Sequence, residues 1–342
     1  MPIEAKNRDI LDLLAKIEND RIIFSLINGT TEISRINGIS AAGANPDITM
    51  LTPTLDSEII SAGRCLSLDV PPMTPDGIPT PALITRSSLS DIPIESLIID
   101  AGFSVYPKVP FFHTGVGTSR NPAKEPALPD FDRAFNAGRH IAKTVFRHYG
   151  VIALGESIPG GTTTAFLMLR ALGLDVPTSS SLPHDPTGLK ETLWKDVKAR
   201  SDIEKLSVEK KIAEVGDYTM AMILGILSDL DEKPVLLFGG TQMATVYRLS
   251  ELIGQKSNKY LCTTGWVYRH RKETIEMLVE DSDRLVVSNI SFKNSRHEGL
   301  RKYDDGHVRE GAGMGGSFML GAVKKDEESI YSQTDRFYDT FL

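Results

Sequence analysis

Cysteine is scarce: the 342 residues include only Cys65 and Cys262, far apart and without a C-x-x-C companion. That excludes a disulfide framework and a cysteine-rich zinc site, and it suits a reducing compartment. The seven histidines include no pair at helical spacing with a third ligand, so no protein-bound metal is expected. Positive charge is not in excess either. A formal net charge of -7 gives no electrostatic footprint for nucleic acid or an anionic membrane, and neither is expected as a partner. The longest apolar run, "YTMAMILGIL" (218–227), is too short to span a bilayer and reads as a buried helix. The opening "MPIEAKNRDI" carries charges where a signal peptide needs an apolar stretch, so a cytoplasmic protein is expected. There is no internal repeat and no low-complexity tract.

What is present is an ordinary globular balance, 41% hydrophobic and 24% charged, with enough length for one large α/β unit or two domains. Ile10, Leu13, Leu14 and Ile17 follow the spacing of an amphipathic helix, and "RIIFSLI" (21–27), closed by Asn28-Gly29, reads as a strand and turn. Residues 29–81 are rich in Gly, Pro, Thr and Ser, and 69–81 reads as a non-regular connection. Strands are expected at "ALITR" (82–86) and "SLIIDAG" (96–102). The helix beginning near 130 has Asp130 as N-cap and Gly150 as its stop. From there, strands at 151–154, 234–238, 259–264 and 284–290 alternate with helices at 162–172, 187–230, 242–253 and 271–279. Short, continuously apolar strands alternating with helices imply a parallel sheet covered on both faces.

In such sheets ligands bind beyond the carboxyl ends of the strands. Two glycine-rich segments lie there: "GESIPGGTTTA" (155–165) and "GGTQ" (239–242), the latter placing Gly239 and Gly240 in the substrate-binding set. Gly160 and Gly161 let the backbone approach a ligand, and Thr162, Thr163 and Thr164 open a helix whose free N–H groups favour an anion. The spacing is not Walker A. Glu156 at a buried strand end needs a partner or a task. A third segment, "REGAGMGG" (309–316), formally satisfies G-x-G-x-x-G at Gly311, Gly313 and Gly316, but no clean strand precedes it. Its glycines suit a close turn around Glu310, a candidate general base with a helix-start acid as the alternative. "SRHEG" (295–299) either binds an anion through Ser295 and Arg296 or is a solvated loop. His113 reads as a turn residue that could touch a substrate. Ser157 lies outside any G-x-S-x-G elbow, which argues against a serine hydrolase.

These residues resemble a known family. "GESIPGGTTTA" is similar to the "G-E-x-x-x-G-N-T-T" loop of nicotinate-nucleotide:dimethylbenzimidazole phosphoribosyltransferases, and "SRHEGLRKYDDGHVREGAGMGGSFMLGA" resembles their C-terminal "L-G-E-G-x-G-A-A" segment. The likeness covers roughly 115–322, and its cast is that of the archaeal nicotinate-nucleotide phosphoribosyltransferase-like branch. Gly155, Glu156, Gly160, Thr162 and Thr163 fall on the first motif, with Gly161 standing where the family has asparagine. Glu310, Gly311 and Gly313 fall on the second, where the glutamate is the family's proposed base. The resemblance implies a Rossmann-like α/β fold with a parallel sheet, helices on both faces, and a homodimer. It implies one unit over 1–342 with a small helical subdomain, drawn from 1–20 and 325–342. The implied reaction moves phosphoribosyl from nicotinate mononucleotide to an aromatic base in cobamide lower-ligand synthesis. No cofactor is required, since nicotinate mononucleotide is itself the substrate. A non-catalytic nucleotide-binding protein and, on the formal G-x-G-x-x-G, a nicotinamide-dependent oxidoreductase are the alternatives.

Overall fold

The computed structural model of the chain describes residues 8–340 except 44, 70, 71, 75 and 231. Helix α1 (Arg8–Asn19) turns Leu13 and Ile17 into the core and leads into β1 (Ile22–Asn28), which is buried along its whole length. The Thr- and Pro-rich stretch that follows is less irregular than its composition suggests. It holds a short helix α2 (Pro46–Met50), capped by the Asn45 side chain, and a longer α3 (Thr52–Ala62), stopped by Gly63 at φ 73°. Proline in the first turn and a left-handed glycine after the last are ordinary start and stop signals.

The run at 82–86 is not a strand. Residues Ala82–Leu89 form helix α4, which packs on α3 and on two helices near the C-terminus. Burial on several sides overrides the weak strand preference of "ALITR". Strand β2 (Ile94–Asp100) follows, then α5 (Phe131–Thr144). This helix ends before Gly150, passing through a short 3-10 turn, and Asp130 precedes it without a side-chain capping bond. Strand and helix then alternate, with the helical stretch expected at 187–230 broken into three: β3 (Val151–Ser157), α6 (Gly161–Ala171), α7 (Thr187–Arg200), α8 (Val208–Val215), α9 (Tyr218–Leu227) and β4 (Val235–Phe238). After them come α10 (Thr241–Leu252), β5 (Lys259–Thr264), α11 (Gly265–Leu278), β6 (Leu285–Ser288), α12 (Glu298–Arg301), α13 (Met314–Lys324) and α14 (Glu327–Asp339). Helix α11 starts earlier than expected and is kinked at Arg271.

The six strands form one fully parallel sheet in the order β2-β1-β3-β4-β5-β6. Side chains alternate between two apolar layers. Ile23, Ile27, Ile152, Leu154, Leu237 and Leu261 face α5, α6, α9 and α10, whereas Phe24, Leu26, Ala153, Leu236, Phe238 and Cys262 face α1, α3 and α13. Both faces are therefore covered, as an all-parallel sheet requires. The terminal helices lean on the second layer, α1 against α13 and α14 against α4 and α13. Strand order reverses between β1 and β3, and this switch point is where such sheets place a ligand.

Candidate functional site

A cavity of roughly 1010 Å³, counting its open mouth, lies beyond the carboxyl ends of β3 and β4. Strand β3 runs three residues further than expected, so Glu156 sits on the strand itself, paired in register with Ile27 of β1. Glu310 enters from the turn before α13. Both carboxylates line this cavity, together with Gly160, Gly161, Thr162, Gly240 and Gly311.

The Glu310 turn is anchored at three points. Thr264 donates its hydroxyl to the Arg309 carbonyl at 2.6 Å, Thr85 to the Ala312 carbonyl at 2.9 Å, and Ser288 to the Gly315 carbonyl at 2.7 Å. The Gly315 N–H donates to Glu310 Oε1 at 3.0 Å, while Oε2 is buried with no partner. Burial pushes the Glu310 carboxyl up to about 8, against backbone N–H groups of Gly315, Gly311, Thr264 and Met314 that pull it down. A carboxyl that lines a cavity and has a pKa near neutrality is suited to exchange a proton.

Glu156 is buried, and its carboxyl is held well above the usual range by burial and then by the charges of Asp217, Glu310 and Asp56. Asp56 and Asp217 were not legible as site residues. Asp56 lies on α3 and lines the cavity, accepting hydroxyl bonds from Thr80 and Ser157, each at 2.6 Å. Burial raises it to about 6 despite those bonds. Asp217 caps α9 by accepting from the Met220 N–H at 3.0 Å, and it also accepts from Thr164 at 2.5 Å and Gln242 at 2.9 Å. Burial raises its carboxyl too. Its N-cap position before the apolar run 218–227 was a readable signal, but only for a helix start.

The glycines divide by task. Gly155 and Gly313, from the two motifs, meet backbone to backbone: a Cβ on Gly155 would lie 3.3 Å from Gly313 Cα and 3.1 Å from the Phe24 ring. They join the loops and do not line the cavity. Gly161 is pinned differently, since a Cβ there would fall 1.9 Å from Gln242 Oε1. Gly239 flanks Glu156, and Gly240 lies against the Glu310 side chain. Thr162 faces the cavity; Thr163 is buried behind it. Gly316 packs on the Phe238 ring, and the formal G-x-G-x-x-G follows a turn and no strand. Ser295 is not brought to the cavity: its hydroxyl donates to Asp335 of α14 at 2.6 Å. His113 pairs with buried Asp100 at 2.8 Å, also outside it.

Ser179–Ser181 also line the cavity, in a wall held by cations that local sequence did not mark. Lys190 of α7 is buried, and among the described residues no carboxylate pairs with it. Its Nζ donates to Thr178 Oγ1 at 2.8 Å and to the Ser179 carbonyl at 3.1 Å, and burial lowers it to about 8. Thr178 passes the link on, donating to the Thr162 carbonyl at 2.8 Å in the first turn of α6. Arg309 donates to the Ser180 carbonyl at 3.0 Å, and Arg271 donates to the Thr178 carbonyl at 3.0 Å while pairing with Asp185. Among the described residues, no group of three or more His, Cys, Asp or Glu is placed to hold a metal ion. None of the described helices is long and apolar enough to cross a membrane.

No family model matches the chain. UPF0284 proteins of Thermoplasma volcanium and Thermoplasma acidophilum are 46% and 42% identical to it, over 95% and 96% of this chain and 96% and 95% of their own. The chain belongs to the UPF0284 family. A further UPF0284 protein, of Archaeoglobus fulgidus, is 36% identical across 96% of both chains. Among solved structures, the crystal structure of CobT from Thermus thermophilus matches with a TM-score of 0.59 at 16% identity, covering 98% of this chain and 92% of that one. A second structure from the same organism, titled as a nicotinate-nucleotide-dimethylbenzimidazole phosphoribosyltransferase, gives the same figures. At that identity the likeness shows the fold, and it is the α/β fold that the paired loops of this UPF0284 chain implied.

Proposed function

We propose that this protein transfers the 5-phosphoribosyl group of nicotinate mononucleotide to an aromatic base, giving an α-riboside phosphate and free nicotinate. The observation that carries the reading is Glu310, its carboxyl raised to about 8, lining a cavity that Glu156 and the first turn of α6 also line. In the donor, C1′ bears a cationic pyridinium. A ring nitrogen of the acceptor attacks C1′ from the opposite face, the C1′–N bond breaks, and its electron pair returns to the departing pyridine nitrogen. The acceptor's other nitrogen loses its proton to Glu310. Glu156, whose carboxyl is raised by burial and by its acidic neighbours, hydrogen-bonds the ribose or the acceptor. Positioning supplies much of the rate, because the leaving group is already cationic.

The 5′-phosphate rests against the first turn of α6, Gly160–Thr163, on the side of the Thr162 N–H, since the Gly161 and Thr163 N–H groups already donate to the Ile158 and Gly160 carbonyls. Lys190 supports that turn through Thr178 and places positive charge behind it. Incubation with nicotinate mononucleotide and a panel of benzimidazoles, purines and phenols, followed by chromatography and mass, tests the reading. The expected result is equimolar nicotinate and riboside phosphate. Tight mononucleotide binding without nicotinate release from any base would instead leave a nucleotide-binding protein.

A further inference from the structure

A second cavity, roughly 780 Å³ with its mouth, adjoins the first. The two share a wall: Ser40, Ala41 and Gly43 from one loop, with Ile78, Ser181 and Val308 opposite, line both. Ser181 stitches this wall from both sides. Its hydroxyl accepts from the Ala41 N–H at 3.0 Å, and its carbonyl accepts from the Val308 N–H at 3.2 Å. Val308 is held at φ 48°, a left-handed conformation that a β-branched residue rarely adopts. Backbone strain of this kind persists where the surroundings impose it, and it gathers at ligand sites.

Most polar side chains of the second cavity are already engaged. Ser34 donates to the Thr31 carbonyl, Thr49 to the Asn45 carbonyl, and Thr74 accepts from the Ile78 N–H. Among the described residues, the side chains of Asn37, Asp76 and His307 have no hydrogen-bond partner, and all three line this cavity. No described lysine or arginine lines it. Without a cation it is a poor seat for a phosphate or for the nicotinate carboxylate. A carboxylate, an amide and an imidazole together suit a ligand group that donates hydrogen bonds and carries no negative charge.

We infer that the second cavity is an acceptor subsite. It takes a short hydroxyl- or amine-bearing arm of the aromatic base, passed over the small side chains of the Ser40–Gly43 loop while the ring lies beside Glu310. This rests on the proposed transfer reaction for the ring's position. It goes beyond that reading by naming the acceptor's class: a base with a donor arm in preference to a ring bearing only alkyl groups.

Calorimetric binding in the presence of nicotinate separates the two ideas, because it needs no turnover. Three matched probes suffice: unsubstituted benzimidazole and its 5-(2-aminoethyl) and 5-(2-carboxyethyl) derivatives. The aminoethyl compound should bind at least about 10-fold tighter than the bare ring, with the carboxyethyl compound weakest. Asp76→Ala with His307→Ala should erase the gain, with affinity for the bare ring as internal reference. Ala41→Phe, which plugs the shared wall, should erase it as well. Equal affinity for all three probes, or a preference for the carboxylate, overturns the subsite. An arm preference that persists in a protein releasing no nicotinate from any base would support the subsite and refute only the transferase reading.

Discussion

Asp56, Glu156 and Glu310 bring three carboxyls to the cavity, with the buried Asp217 close enough to act on Glu156, and no described lysine or arginine lines the cavity. Behind the Ser179–Ser181 wall, Lys190, Arg271 and Arg309 gather, and among the described residues Asp185 is the one carboxylate ion-paired with them. Adjacent residues belong to opposite sides, Arg309 to the cations and Glu310 to the acids. The acids hold their protons to higher pH than carboxyls in water, while the cations are spent on backbone carbonyls that shape a wall. One side can exchange a proton with a ligand. The other is built to hold a position.

The largest effect that would break this contrast is on turnover. Glu310→Gln keeps size and hydrogen-bonding shape but cannot accept a proton, so kcat should fall ~10²–10⁴-fold while affinity for nicotinate mononucleotide barely moves. In the parent, kcat/KM should rise with pH through a limb near the free-enzyme value of about 8. Near-normal turnover in the variant would pass the role to Glu156.

Next comes affinity at the cationic side. Lys190→Met preserves volume and removes the charge behind the α6 turn. It should weaken mononucleotide binding roughly 10–100-fold, on the scale of one hydrogen bond to a charged group. Nicotinate riboside, which lacks the phosphate, should bind parent and variant alike; an equal loss for both ligands would place the phosphate elsewhere.

Gly161→Val tests the wall between the two sides. Its Cβ would collide with Gln242, which holds Asp217, so the damage spreads into the acid cluster as well as the phosphate turn. Overpacking of this kind costs about 1–3 kcal/mol. A variant that melts normally and binds mononucleotide normally would show that the loop yields freely.

The smallest effect is the sign of stability against pH. Glu310 is raised from 4.5 to about 8, so its contribution is fully present below about 4.5 and is lost as pH rises through 8. Glu310→Gln should therefore melt roughly 1–5 °C above the parent at pH 9, the difference vanishing near pH 4.5. Lys190, lowered from 10.5 to about 8, runs the other way. Lys190→Met should gain stability below pH 8 and lose that gain as pH approaches 10.5. The same pH trend in both variants would contradict the division.

Much of this was legible because the signals were local. A carboxylate beside paired glycines at a strand end announced Glu156, and one at the head of a glycine-rich turn announced Glu310. Strand and helix alternation from 130 onward was readable in outline from apolar runs and helical spacing, although the stretch 187–230 divides into three helices and β3 runs on to Ser157. Asp56 was hidden in a stretch judged by composition, although Leu55, Ile59 and Ile60 give α3 a buried face. Lys190 sits in the first turn of α7 between exposed Leu189 and half-buried Glu191, so nothing nearby separates it from a surface lysine. Helix α4 was misread because its partners, α3, α13 and α14, come from distant parts of the chain. Long-range packing decides such residues, and one-dimensional periodicity does not record it.

Helix α13 also sets an order in time. It lies buried against β4, β5, β6 and α4, and the turn it holds carries Glu310. Emerging from the ribosome, the chain delivers β1 early, yet β1 must wait for β2 and β3 to flank it. Glu310 comes after all six strands are made, and it is seated only when α13 closes over them. A nascent or C-terminally clipped chain thus lacks the Glu310 turn, and disturbance of α14, which braces α13 and α4, reaches that turn from the far end of the sequence.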